Sequence, residues 1–150
     1  MIFKLMSSAF AHGERIPTRY TCEGQNISPA LEWSDPPRGT ETFALIMDDP
    51  DAPSGTWVHW ILFNLPATIR DLSERAHLPA DSQEGWNSWG RPGYGGPCPP
   101  SGTHRYFFKL YALDTKIKLP PHPDKDQLLR AMENHVLAQT ELIGTYSRRR

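Results

Sequence analysis

Fifteen prolines and eleven glycines are spread along the 150 residues, and this spacing constrains the fold more than any other feature. Proline lacks a main-chain donor and fixes φ, so it ends helix interiors and central strands. Glycine opens the backbone conformations that turns require. A chain interrupted so often is expected to be mainly β, with short strands joined by shaped loops. Its length suits one core, so one domain is expected over residues 1–150.

The charges nearly cancel, with 16 basic and 17 acidic residues and a formal net of −1. No global field then recruits nucleic acid or anionic membrane, and any ligand must be recognised by a local site. The run Arg148-Arg149-Arg150 reads as a frayed, solvated tail. Lys4, Ser7 and Ser8 break up MIFKLMSSAFAHGER, so no export signal is expected, and no stretch reaches transmembrane length. Cys22 and Cys98 are too few for a disulfide scaffold. The expectation is two reduced thiols in the cytoplasm, with a single bridge between them left open.

The segment TFALIMDD, residues 42–49, is an apolar run ending in carboxylates and then Pro50, which predicts a buried strand stopped by a turn. In TWVHWILFNL, residues 56–65, Trp57, His59, Ile61 and Phe63 alternate with Val58, Trp60, Leu62 and Asn64. Both faces are largely apolar, predicting a strand covered on both sides. Residues 66–102 show no sustained period, but Trp86, Trp89 and Tyr94 argue for an ordered, packed loop region. THRYFFKLYAL, residues 103–113, places His104, Tyr106, Phe108 and Leu110 on one face and Arg105, Phe107, Lys109 and Tyr111 on the other. In residues 124–144, Leu128, Met132, Val136 and Ile143, joined by Leu129 and Leu137, predict one amphipathic helix that includes His135. Asp124 and Gln127 would cap it, and Gly144 would end it.

Two segments concentrate polar chemistry. DDPDAPSGTWVHW, residues 48–60, carries three aspartates and a histidine on a link stiffened by Pro50 and Pro53, which limits the ordering entropy left to lose on binding. The segment alone is equally consistent with a plain hairpin whose aspartates accept backbone amides. GYGGPCPPSGTHRY, residues 93–106, runs a glycine- and proline-rich loop into a strand with His104 and Tyr106. Glycines let main-chain amides turn toward an anion.

DPDAP with GTWVHW, and GPCPPSGTHRYFFKLYALD, resemble the two signature regions of the phosphatidylethanolamine-binding protein family. IPTRYTCEGQNISPALEW, NLPA, GYGGPCPP and HVLAQTELIGTY extend the resemblance to its bacterial and archaeal, Raf kinase inhibitor-like branch. The resemblance implies a two-sheet, mostly antiparallel β-sandwich-like fold with short helices, one C-terminal helix, and a small anion pocket. By position, Asp49 and Asp51 match the aspartates of the first motif and His59 the histidine after it. His104 and Tyr106 match the second motif, Gly96 and Pro100 lie in the loop that closes the pocket, and Trp57 falls where an aromatic lines it. Asp48 lies outside the motif and is expected to be structural. The expected guest is a small anion or phosphorylated group. The resemblance adds a kinase or protease as a protein partner, and apolar strand faces leave a homodimer open.

Two aspartates beside an anion would repel it by about 1 kcal/mol even at water's dielectric, and by several at lower values. Protons from histidine or from the guest itself must offset that repulsion. Two histidines and aspartates are also adequate metal ligands in kind, but they lack a compact ligand motif, so neither metal nor cofactor is expected. Ser54, Ser101 and Cys98 offer nucleophiles for a hydrolase or thiol-dependent enzyme, though none sits in a recognised catalytic context. A binding protein without a demonstrated reaction is the reading these residues support best.

Overall fold

Apolar runs that cannot face water on either side settle in the middle of a sheet covered on both faces. A computed structural model of the chain, which describes residues 2–149, shows this arrangement. Short strands β1 (Lys4–Met6), β2 (Leu31–Ser34) and β5 (Asp71–Leu72) form a small antiparallel sheet in the order β1-β2-β5. The larger sheet contains β3 (Thr42–Asp49), β4 (Trp57–Pro66), β6 (Gln83–Glu84), β7 (His104–Leu113) and β8 (Val136–Tyr146). Its order is β6-β4-β3-β7-β8, with every neighbouring pair antiparallel.

The central strand β3 is buried along its whole length, in keeping with its unbroken apolar sequence. Phe43, Leu45 and Met47 face the small sheet, where Leu5, Leu31, Trp33 and Leu72 complete the packing. Ala44 and Ile46 face the opposite way, where Ile61, Phe63, Leu113 and Ile117 meet Leu128 and Met132 of helix α1 (Lys125–Met132). Small sheet, large sheet and helix thus form successive layers, and each large apolar side chain withdrawn from water contributes about 1.5–3 kcal/mol.

The helix is shorter than the apolar spacing predicts. Asp124 does cap it, accepting the Gln127 amide, while the Gln127 side chain accepts the Asp124 amide. After Met132, however, Asn134 adopts φ +67°, and the chain turns into β8 instead of continuing as a helix. Pairing along the whole of β7 outweighs the helical spacing. His135 lies in the turn and binds Asp114 through Nδ1 at 2.8 Å. Gly144 is within the strand, where an added Cβ would fall 2.5 Å from Ile16 Cγ1. It is a packing position and ends no helix.

The tail also departs from expectation. The Arg149 main-chain N–H donates to both oxygens of Glu23, and the Tyr146 hydroxyl donates to the same carboxylate. The backbone is therefore held as far as Arg149, while Arg150 lies outside the described residues. Cys22 and Cys98 form a disulfide, with Cα atoms 5.4 Å apart across a sequence separation of 76. This corrects the expectation of reduced thiols and removes the cysteine argument for a reducing compartment. No helix among the described residues is long and apolar enough to cross a membrane.

Candidate functional site

A cavity of about 280 Å³ opens where the β3–β4 hairpin meets the loop leading into β7. Its polar floor contains Asp49, His59, His104 and Tyr106, while Trp57, Trp89, Cys98, Pro99 and Pro100 contribute to the surrounding wall. The size lies near the lower end for small-molecule sites, about 300 Å³.

Alternation along β3 separates its two terminal aspartates. Asp49 follows Met47 on the face toward the small sheet and reaches the cavity, whereas Asp48 faces the helix layer. There the Asp48 carboxylate, 1% exposed, accepts Lys109 Nζ at 3.2 Å and Lys125 Nζ at 2.8 Å. Asp48 therefore ties α1 to the sheet.

His59 reaches the cavity through an irregularity that its alternation pattern conceals. Met47 pairs with Trp60 but Asp48 pairs with Val58, so β4 carries one extra residue between these pairs. Such a bulge can redirect a side chain. Trp57 and His59 consequently line the pocket, whereas Ile61 and Phe63, predicted to share their face, pack under the helix. The His59 Nδ1–H donates to Gly95 O at 2.6 Å, leaving Nε2 as the acceptor of the neutral ring. Burial drives the His59 pKa below its ordinary value, against the opposing effect of the Gly95 carbonyl.

The pair at the centre of the floor is His104 with Asp49. His104 Nδ1 donates to Asp49 Oδ2 at 2.6 Å, and Asp49 Oδ1 accepts the Asp51 amide at 2.7 Å. Both carboxylate oxygens therefore have protein donors. Asp49 fixes one edge of the His104 ring and leaves its other nitrogen available to a guest. The fixed tautomer follows from the chemistry of the acceptor, because a carboxylate accepts at Nδ1 only if that nitrogen carries hydrogen.

Tyr106 completes the floor. Its side chain is fully buried; the Cys98 main-chain N–H lies toward its oxygen, and the hydroxyl's own proton has no acceptor among the described residues. Burial, followed by the charge of Asp49, pushes its pKa far above the ordinary phenol range, so it remains an O–H donor at physiological pH. An unpartnered buried hydroxyl costs about 1–3 kcal/mol.

Asp51 and Gly96 support the cavity from outside its lining. Asp51 accepts the Arg105 main-chain N–H, Nε and Nη2, each at 2.9 Å, pinning the hairpin link to the outer face of β7. The Arg105 side-chain hydrogen bonds lower the Asp51 pKa to about 2. Because the folded value lies below that of an unfolded aspartate, about 3.9, the pinning is present above that range and is lost as pH falls through the folded value. An NMR titration should find Asp51 near the lower value, and Arg105→Gln should return it toward the ordinary range.

Gly96 is a close-approach residue. Its N–H donates to Asn26 Oδ1 at 2.8 Å, and an added Cβ would lie 2.3 Å from Tyr20 O. Together with the Tyr94 hydroxyl on Tyr20 O and the Cys22 amide on Pro97 O, this contact presses the loop against residues 20–26. Trp89, which the residue pattern marked only as ordered, forms an additional part of the wall. Its ring lies so close to Gly95 that an added Cβ would meet it at 2.1 Å, and its edge contacts Trp57 and His59.

These features define a two-sheet β protein with a preformed pocket, polar at its floor and apolar in its wall, at one end of the larger sheet. The family model described as phosphatidylethanolamine-binding protein matches residues 6–147, and the chain belongs to that family. A UPF0098 protein of Methanothermobacter thermautotrophicus is 52% identical over 148 residues, covering 96% of this chain and 98% of its own. Another UPF0098 protein, from Aquifex aeolicus, is 46% identical and covers 98% and 90% of the respective chains. A solved structure of a homologue of the phosphatidylethanolamine-binding protein from Chlamydia trachomatis is 42% identical. It superposes with a TM-score of 0.94 over 98% of both chains. E. coli YbcL, 34% identical, gives 0.91 over 98% of this chain and 99% of its own.

Proposed function

We propose that the pocket binds a small anionic group of the phosphate class and favours its protonated form. Asp49, His59, His104 and Tyr106 provide the polar contacts, and Trp57 and Pro100 enclose them. The carrying observation is the buried Tyr106 hydroxyl, a donor without a partner among the described residues, beside a histidine whose second nitrogen is available. A phosphate oxygen can accept the Tyr106 proton while a P–OH donates to the free His59 nitrogen.

The carboxylate of Asp49 would repel a fully ionised guest, costing about 4 kcal/mol for unit charges 4 Å apart at an effective dielectric of 20. A guest proton reduces that charge and satisfies the His59 acceptor.

Tyr106→Phe separates this reading from a merely structural hydroxyl. Removing the unsatisfied group should leave the melting temperature unchanged or raised, while phenyl phosphate affinity falls about three- to tenfold for one lost hydrogen bond. Calorimetric titration of both proteins provides the comparison. Failure of the native protein to bind millimolar phenyl phosphate, or equal binding by the variant, overturns the assignment.

A further inference from the structure

The Cys22–Cys98 bridge connects two segments 76 residues apart, and its two ends have different surroundings. Cys98 is half-buried in the cavity wall with Pro99 and Pro100, whereas Cys22 is exposed on the segment behind that wall. We propose that the bridge is a thiol-sensitive tether controlling whether the Cys98–Pro100 wall closes the pocket. Its effect on a phosphate guest rests on the binding reading above, but its effect on the wall does not.

The wall has limited means of holding itself. Pro97, Pro99 and Pro100 contribute no main-chain N–H, and Gly102 adopts φ +67° before the chain enters β7. Upstream, the loop is anchored by Gly95 N–H on His59 O, Gly96 N–H on Asn26 Oδ1 and Cys22 N–H on Pro97 O. Downstream, His104 is fixed by its β8 pairing and by Asp49. The disulfide attaches between these two anchored stretches. Pro100 keeps a contact of its own, so opening the bridge broadens the wall's range of positions without detaching it.

The exposed partner sets the order of reduction by a dithiol. A dithiol thiolate attacks the Cys22 sulfur, the S–S bond breaks, and its electron pair leaves on Cys98, which takes a proton from water. The dithiol's second thiolate then attacks the mixed disulfide, releasing Cys22 as a thiolate that is protonated in turn. Two electrons have passed to the protein, and the dithiol has become a cyclic disulfide. If the reduced wall occupies its closed position about one-tenth of the time, apparent guest affinity falls about tenfold.

The test compares the whole protein, oxidised and after dithiothreitol treatment, by hydrogen exchange and by phenyl phosphate titration. Reduction should raise exchange about tenfold at the Cys22 and Gly96 amides, which bond the wall through Pro97 O and Asn26 Oδ1, leave β3 and β4 protected, and weaken phenyl phosphate by a similar factor. Reoxidation should restore both values, and Cys22→Ser should show the reduced behaviour with or without dithiothreitol. Unchanged exchange in the wall overturns the proposal. So does cooperative loss of protection through β3, β4 and β7, which would make the bridge a support of the whole fold. Faster exchange confined to the wall, with no phenyl phosphate binding in either state, supports the tether and overturns the phosphate reading instead.

Discussion

His104→Ala is expected to weaken phenyl phosphate binding by at least about 100-fold, equivalent to about 3 kcal/mol. Two losses combine in that variant. The guest loses the imidazole nitrogen facing it, a contact to a charged partner that contributes about 1.5–3 kcal/mol. Asp49, only 3% exposed, loses its 2.6 Å donor and confronts the anion with its charge less compensated. Removing the donor is costly because the buried carboxylate stays desolvated without it. Asp49→Asn provides the complementary test. An amide has only one accepting oxygen, so it cannot accept from both the Asp51 N–H and His104 Nδ1–H as the carboxylate does. The ring must rotate or change tautomer, and affinity should fall even though the repulsive charge has gone. Unchanged affinity in both variants would place the binding site elsewhere.

Gly96→Ala should destabilise the fold by about 3 kcal/mol and impair the pocket, even though Gly96 does not line it. Its added Cβ would meet Tyr20 O at 2.3 Å and Asn26 Oδ1 at 2.4 Å, the first of which is backbone. The chain must move apart, losing the part-buried hydrogen bond to Asn26 and displacing the loop that ends in Cys98 and Pro100. For a chain of this length, thermal unfolding should shift downward by about 6–12 °C. A variant with native melting temperature and native phenyl phosphate affinity would show that the loop does not depend on this close approach.

The strands at the centre of the fold were the most legible in sequence because burial on both sides enforced unbroken apolar runs. Residues 42–49 and 104–113 form β3 and β7, and the predicted strand at 56–65 corresponds closely to β4. The predicted helix at 124–144 instead divides into α1 and β8. In β8 only Leu142, Gly144 and Tyr146 are buried, so its period-two signal is faint beside the helical spacing of Leu128, Met132 and Val136. The two-residue strands β5 and β6 lie in a stretch without a usable period.

The polar pair Asp49–His104 could be anticipated because both residues stand at predicted strand ends. The separate placement of Asp51 could not, since its threefold engagement by Arg105 depends on how β7 passes the hairpin. Nor does alternation reveal the bulge that brings His59 beside Trp57, or the stacking space that Gly95 leaves for Trp89. Pairing of Cys22 with Cys98 likewise depends on the tertiary meeting of distant loops.

The most direct measurement is a calorimetric titration of the native protein with phenyl phosphate between about pH 5.5 and about pH 8, across the second phosphate ionisation near 6. Rising pH removes the guest proton that the Asp49 and His59 environment favours. The predicted sign is therefore a loss of affinity, approaching tenfold per pH unit above the guest's ionisation when one proton is required. Affinity that stays flat or rises across this interval would contradict a pocket selective for a protonated phosphate group.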